Sequence, residues 1–461
     1  MKRLLCIATL GLLFSSLLLA QVDYKVYTPH PRLWLEGRRL NRLRKDVERQ
    51  SERWRNLQRL VQADVVFPEE PLLQALLFQV TGDEKSGRKA IVWAVGEEDS
   101  GGFEKPDHLR LGAVVFDWCH ELLSDEQKGS LAQALFTAAE GLSRENEIGL
   151  KRVRSVVMAL VAVGEDHVGY ERVLQTLMKD HWEARLLPLI KKGELLQTSA
   201  ELVALAELSH VARHNFEIEI WGQASDIFRA LPLRLMLRVL PRPHRTEEGI
   251  FRLPAETDRS AAVIEGTLNR VAAMVFVAYE NTLSDYQFLQ GWVRHDAYTL
   301  YTPLGAVYEF LWVNPYLPGL SYFSAPLVFH DEFEGRVYAR MGWQEEDLWA
   351  GYFDGRLLIV ADGEEHVIEP TEKQAPLVFP GGAMLFGKPP LSFDRVVPEG
   401  KAIYVVGLEE GRSYEVRVNR SRARYQQAGK GGILVIDNRP QEGSTEIDWE
   451  SRVRLRVRAA K

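Results

Sequence analysis

A chain of 461 residues with 57 Lys and Arg against 64 Asp and Glu carries a formal net charge of −7, with both signs spread along its length. That balance excludes a basic nucleic-acid-binding surface as the organising feature, and 46% hydrophobic content excludes a disordered chain. Two cysteines, Cys6 and Cys119, exclude a disulfide-stapled scaffold, so stability has to come from large apolar cores.

The chain opens MKRLLCIATLGLLFSSLLLAQ. Lys2 and Arg3 precede an apolar run from Leu4 to Ala20, the pattern of a secretory signal peptide with Ala20 as the cleavage residue. The run is short for a membrane span, which needs about 20 residues. The expectation is that residues 1–20 leave on export to the periplasm or the exterior, with no stable membrane insertion afterwards; an uncleaved anchor is the alternative. Cys119 is then the lone thiol, packed in an apolar helical run rather than acting as a nucleophile.

From about residue 33 to 290 the period is helical. Leu40, Leu43, Val47, Trp54, Leu57 and Val61 trace one face of a helix, with Arg38, Arg39, Arg42, Arg49 and Arg53 opposite, a solvated face with an anion-binding face as the alternative. Further helices are predicted over Pro71–Val80, Asp107–Leu123, Asp125–Leu142, Val153–Val163, Tyr170–Ile190, Glu194–His214, Ala224–Val239 and Ser260–Tyr279. Thr81-Gly82-Asp83, Gly101-Gly102 and Pro241-Arg242-Pro243 break the pattern. Helices joined by short loops suggest helical hairpins around a shared core.

After about residue 330 the period falls to two. Short strands punctuated by Gly, Pro and Asp run from Arg336–Met341 to Ser451–Val457. In the closing SRVRLRVR, Val453, Leu455 and Val457 alternate with arginines, as in a strand with one wet face. Such strands suggest an antiparallel sandwich. The expected division is a helical domain over 21–325 and a β-sandwich over 326–461.

Four stretches resemble the heparinase II/III and alginate-lyase group of polysaccharide lyases: His30-Pro31-Arg32-Leu33, Phe116-Asp117-Trp118, Phe310-Leu311-Trp312-Val313-Asn314-Pro315, and Gly335-Arg336-Val337-Tyr338-Ala339-Arg340-Met341-Gly342-Trp343. Their order and spacing carry the resemblance. It implies an (α/α) toroid-like helical domain followed by an antiparallel β-sandwich, and an interdomain cleft that binds acidic polysaccharide as partner. The chemistry it implies is β-elimination at a uronate, without a cofactor. A donor neutralises the uronate carboxylate, and a Tyr or His takes the α-proton.

The group's motif residues are not reproduced. Glu145-Asn146-Glu147 stands where Asn-His is expected, and Gly193-Glu194-Leu195-Leu196-Gln197 lacks the tyrosine. Asp362-Gly363 with a lone His366 replaces the histidine pair of the sandwich. Candidate site residues are therefore chosen by residue chemistry. Residues 291–331 concentrate aromatic rings that stack on sugars with Arg, Asn and His that bind hydroxyls or carboxylates. They serve a domain interface equally well. From this set and the preceding helix, Tyr298 or His295 is the candidate base. Arg294, His214 and Asn215 are candidate carboxylate neutralisers, and Trp292, Trp312 and Tyr316 candidate sugar contacts.

His210 and His214, four apart, can place two imidazoles on one metal, but the intervening Val211-Ala212-Arg213 lacks the glutamate of a zinc-protease motif. A polar helix face is the reading there, and no metal is expected. His120-Glu121 has no second histidine at ligand spacing and reads as structural. Asp117 and Trp118 read as helical core. A catalytically silent glycan- or envelope-binding protein is the alternative function.

Overall fold

A computed structural model describes residues 24–146, 148–241, 252–254, 259–295, 302–344, 346–369, 374–398, 400–419, 422–437 and 450–460. The signal-like segment and Tyr298 lie outside the described residues. The helical part comprises α1 (Gly37–Glu48), α2 (Glu52–Gln62), α3 (Glu70–Thr81), α4 (Glu84–Ser100), α5 (Pro106–Trp118), α6 (Asp125–Ser143), α7 (Leu150–Val163), α8 (Tyr170–Leu177), α9 (Leu187–Lys191), α10 (Ser199–Phe216), α11 (Ile220–Gln223), α12 (Ser225–Leu237), α13 (Arg259–Tyr279), α14 (Ser284–His295) and α15 (Pro303–Trp312). Among the described residues no helix is long and apolar enough to cross a membrane.

Helices α3, α5, α7, α10, α13 and α15 each pack on the next, and α15 returns to α2. They are the most buried: every residue of α7 from Val153 to Val163 is enclosed. Helices α4, α6, α8, α12 and α14 lie outside this succession, each against one or two of its members. α4 does not stand out in the sequence because an outer helix needs only a thin apolar stripe, here Ala90, Ile91 and Ala94.

Two readings of the sequence are corrected. The apolar stripe from Leu40 to Val61 belongs to two helices, because Gln50 turns left-handed (φ 52°) and the Ser51 hydroxyl caps α2 by accepting from Trp54 N–H at 3.3 Å. Nor is the arginine face wholly solvated. Arg53 is buried, pairs with Asp46 and donates to the carbonyls of Glu309 (3.2 Å), Phe310 (3.4 Å) and Val313, closing the C-terminal end of α15. Arg39 is buried too. A third departure lies in the stretch read as one helix from Tyr170 to Ile190, where Met178–Leu186 is a π-helix. It runs into Pro188, which has no N–H to continue an α-helical ladder.

The two stretches His30–Leu33 and Phe116–Trp118 meet. Asp117 accepts from Arg32 N–H (2.8 Å), Leu33 N–H (2.7 Å) and His30 Nδ1 (2.6 Å), while Trp118 Nε1 donates to Leu33 O at 2.9 Å. The N-terminal segment is thereby clasped to the end of α5, with Asp117 and Trp118 in the core as read from the sequence.

The last helix ends at Trp312, and strands follow from Val328: β1 (Val328–Asp331), β2 (Arg336–Arg340), β3 (Trp349–Phe353), β4 (Arg356–Ala361), β5 (Glu364–Ile368), β6 (Leu377–Phe379), β7 (Gly382–Phe386), β8 (Leu391–Pro398), β9 (Ala402–Val406), β10 (Ser413–Val418), β11 (Arg424–Gln427), β12 (Leu434–Ile436) and β13 (Glu450–Ala459). They form three sheets, ordered β1-β2-β3-β4-β5, β12-β9-β7-β6 and β11-β10-β13-β8. The middle sheet buries both faces. Ala383, Leu385, Ile403 and Val405 join one core with β8, β10 and β13, whereas Met384, Phe386 and Val406 join another with β2, β3 and β4. A simple two-sheet sandwich is thus replaced by three layers, and β7 pairs with β9 in parallel. Val453, Leu455 and Val457 of β13 face the core and the intervening arginines face out.

The outer face of the first sheet packs on the helices. Leu237 and Leu240 at the end of α12 meet Tyr338, Trp349, Leu358 and Val360, and Trp349 Nε1 donates to Leu237 O at 2.8 Å. Beside this seam Arg234 is ion-paired with Asp331 (2.6 Å) and Glu334 (3.0 Å), all fully buried, and Arg336 reaches Glu334 at 3.1 Å.

Candidate functional site

A pocket of about 300 Å³ opens where α1, α10 and α13 meet, lined by Trp34, Glu36, Arg39, His210, Arg213, His214, Glu217 and Ala278. That volume sits at the low end of small-molecule sites, roughly 300–1,000 Å³.

The aromatic wall is built by the N-terminal segment. Trp34 adopts a left-handed backbone (φ 58°), a costly state for a bulky residue that the surrounding packing has to enforce. Its ring lies against Trp312 (centroids 5.7 Å) and Trp118 (6.2 Å). Its carbonyl accepts from Arg39 Nη1 at 2.8 Å.

Arg39 is the pocket's distinctive group. Its guanidinium lies 4.3 Å from the Trp312 ring centroid, and among the described residues no carboxylate comes within ion-pair distance. Burial lowers its pKa to about 9, with Glu36 partly offsetting and Arg42 adding to the shift. A cation taken out of water without a counter-ion is unfavourable, and an incoming anion relieves that cost.

His210 donates Nε2–H to Val275 O at 3.0 Å. A carbonyl only accepts, so Nε2 carries the proton and Nδ1 is left as the ring's lone-pair nitrogen. Burial, then the Arg39 charge, pushes this imidazole well below its ordinary range, so it is neutral at neutral pH. Its ring packs against Trp312 (4.5 Å) and Tyr279 (5.2 Å).

Arg213 is already spent. It forms a fork with Glu219 at 2.7 and 2.8 Å, donates to Tyr279 O at 2.6 Å and covers the Tyr279 ring at 3.3 Å. It stiffens the wall and leaves the open positive charge to Arg39. His214 is half-exposed at the mouth, Nδ1 3.6 Å from Glu36.

Of the residues selected from sequence, only His214 lines this pocket. Asn215 is buried and points the other way: its amide donates to Arg32 O (3.2 Å) and Val211 O (3.1 Å), and its oxygen accepts from Thr28. It ties the N-terminal segment to α10. Trp312 lies fully buried behind the pocket and offers no sugar platform. Trp292 is likewise in the core, covered by Arg270 at 4.4 Å. His295 and Arg294 are exposed at the end of α14, where His295 packs on Tyr322 (4.9 Å) and Phe323 (6.0 Å). Tyr316 is exposed on the segment after α15.

The β-sheet region meets the link before α10, where Phe333 packs on Gly193, whereas His214 lies 15 residues beyond Ser199, about 22 Å along the helix at 1.5 Å per residue. The pocket therefore sits within the helical part, away from the interdomain position expected from the resemblance. The motif stations are scattered as well. Asn146 is exposed, Gly193 packs on Phe333, and His366 is exposed on β5.

Sequence reasoning offered Arg39 only within an anion-binding alternative for the whole arginine face, and passed over His210 as a base. The available signal was the i, i+4 pair His210–His214, read there as a metal motif, a polar face or a substrate-facing histidine beside Asn215. A second, larger groove of about 650 Å³, between α4 and α6, is rimmed by Glu98, Glu104 and Glu145. Its carboxylates disfavour an acidic ligand. Compared with known family models and with curated proteins, the chain matches none.

Proposed function

We propose that this protein is an exported, toroid-type carbohydrate-active protein that binds acidic polysaccharide, seating one uronate carboxylate on Arg39 in the α1–α10–α13 pocket. The observation that carries this reading is the buried Arg39 guanidinium facing the pocket with no carboxylate at ion-pair distance among the described residues.

The same groups match the demands of β-elimination. Arg39 neutralises the carboxylate and acidifies the α-proton, and His210 Nδ1 accepts that proton. His214 at the mouth supplies a proton to the leaving glycosidic oxygen. The depressed basicity of His210 fits this order of events. Arg39 is the largest charge holding the imidazole down, so a carboxylate bound to Arg39 restores basicity only when substrate is present.

The test pairs binding with turnover. Purified protein is titrated with alginate, heparin and polygalacturonate oligosaccharides by calorimetry, and the ultraviolet absorbance of the unsaturated product is followed. Arg39→Ala is expected to lose binding at least tenfold. His210→Gln is expected to keep binding and lose product formation. Binding without any product leaves the glycan-binding role and removes elimination. Binding that survives Arg39→Ala removes the pocket.

A further inference from the structure

A second constellation lies where the N-terminal segment crosses the ends of two inner helices. His30 comes from that segment, His120 from a single 3-10 turn (His120–Leu122) after α5, and Asp166 from another (Gly164–Asp166) after α7. One ligand atom from each lies within 4.8 Å of the other two.

The tautomer of His30 follows from its partner. Its Nδ1 is 2.6 Å from Asp117, a buried carboxylate that also accepts two backbone N–H groups and therefore can only accept here. The Nδ1 nitrogen therefore carries a proton. The other ring nitrogen, Nε2, is buried, has no hydrogen-bond partner among the described residues, and lies 3.7 Å from Asp166 Oδ2. His120 Nε2 is in the same condition, buried without a hydrogen-bond partner and 3.4 Å from the same oxygen.

Two imidazole nitrogens and a carboxylate oxygen gather here within 4.8 Å of one another, both nitrogens buried without a hydrogen bond, and a cation would bridge the three. The spacing fits a small one. Bonds of about 2.0–2.2 Å in a tetrahedron place ligand atoms roughly 3.3–3.6 Å apart, close to the two distances to Asp166. The Asp117–His30 pair is the outer-shell carboxylate that holds a ligating imidazole in one tautomer.

We propose that His30, His120 and Asp166 bind a divalent transition metal of zinc type, with Asp117 as the positioning carboxylate and the fourth position open toward solvent beside the half-exposed Asp166. The two imidazoles are stacked at 3.8 Å with 11° between their planes, and one ion cannot lie in both planes at once. Loading swings His120, on its short turn, out of the stack. The metal then staples the N-terminal segment to the ends of α5 and α7. This site is independent of the Arg39 pocket.

The full mature chain, free of any histidine tag, is stripped with chelator, dialysed against zinc and assayed by elemental analysis and competitive titration, with cobalt as the spectroscopic probe. About one equivalent of zinc is expected, with tetrahedral cobalt bands and a rise in melting temperature on loading. His120→Ala and Asp166→Asn are expected to lower affinity at least tenfold. His120 Nε2 makes no hydrogen bond to lose, so a folded His120→Ala protein is the informative variant. His214→Ala should leave zinc binding unchanged. The proposal is overturned if zinc stays well below one equivalent, or if zinc binds equally to the wild type and to both ligand variants.

Discussion

With Glu207 fully buried and its two oxygens shared among Arg110 (3.4 Å), Arg154 (2.6 Å) and Tyr308 (3.1 Å), its replacement by alanine strips two buried guanidiniums of a common counter-ion. Glu69 and Asp107 remain at the edges of this network, which limits the loss without abolishing it. The expected cost for Glu207→Ala is about 3–5 kcal/mol, read from urea unfolding, whereas an exposed pair such as Arg88–Glu84 should be nearly silent. His210 gives a second prediction at this scale. Its folded pKa lies below the unfolded value near 6.5, so the unfolded chain binds the extra proton as pH falls. The stability contributed by keeping it neutral is complete above about pH 6.5 and is lost below it, at a limiting slope of about 1.4 kcal/mol per pH unit. Unfolding of His210→Gln between about pH 7 and pH 5 should show a shallower dependence than the wild type. Equal slopes would mean the imidazole already takes its proton in the folded state.

At the scale of elements, the short link from α9 to α10 depends on Gly193. Its backbone is left-handed (φ 65°), and an added Cβ would sit 2.0 Å from the carbonyl oxygen of Phe333 in the β1–β2 connection. Its own carbonyl also accepts from Lys430 at 2.9 Å. Gly193→Ala is expected to cost more than about 2 kcal/mol, combining the conformational penalty with a backbone collision, and to increase proteolysis in the α9–α10 link. The sequence showed Gly193 only as part of a degenerate motif station, because its partner is 140 positions away. The same limit explains what was legible elsewhere. Apolar periodicity reports which face of an element is buried, so α3, α6, α7, α13 and β13 emerged close to their observed spans. It says nothing about charged side chains that follow their helix inward. Arg39 and Arg53 share a polar stripe with Arg38 and Arg49, yet only coordinates reveal which stem crosses the core. The candidate pocket was half legible for the same reason: His214 came from local chemistry, but Arg39 and Trp34 join it from a segment some 175 positions earlier.

For the molecule as a whole, an apolar seam and an ionic hub couple the helical and β parts, beside the contacts of Phe333 and Lys430 with Gly193. The seam of Leu237, Leu240, Tyr338, Trp349, Leu358 and Val360 supplies area but little directionality. The hub supplies registry. Asp331 pairs with Arg234 and also accepts from Phe333 and Glu334 N–H groups at 3.1 and 3.0 Å, so one carboxylate fixes both the β1–β2 turn and the position of α12. Asp331→Ala removes the turn acceptor and leaves Arg234 facing Glu334 alone, both buried. The expected loss is about 3–5 kcal/mol at the interface. Because the two parts keep separate cores, that loss should appear as decoupling as well as lower stability. Calorimetry of the wild type should give one main transition, and Asp331→Ala two, the β part melting separately from the helical part. Arg234→Met, which deletes the charge on the other side and fills similar volume, should leave Asp331 and Glu334 repelling each other and decouple the parts to a comparable extent. A single unshifted transition in both variants would assign the coupling to the apolar seam. In that case Trp349→Ala, which empties the seam and forfeits the 2.8 Å bond to Leu237, becomes the substitution that separates the two melts.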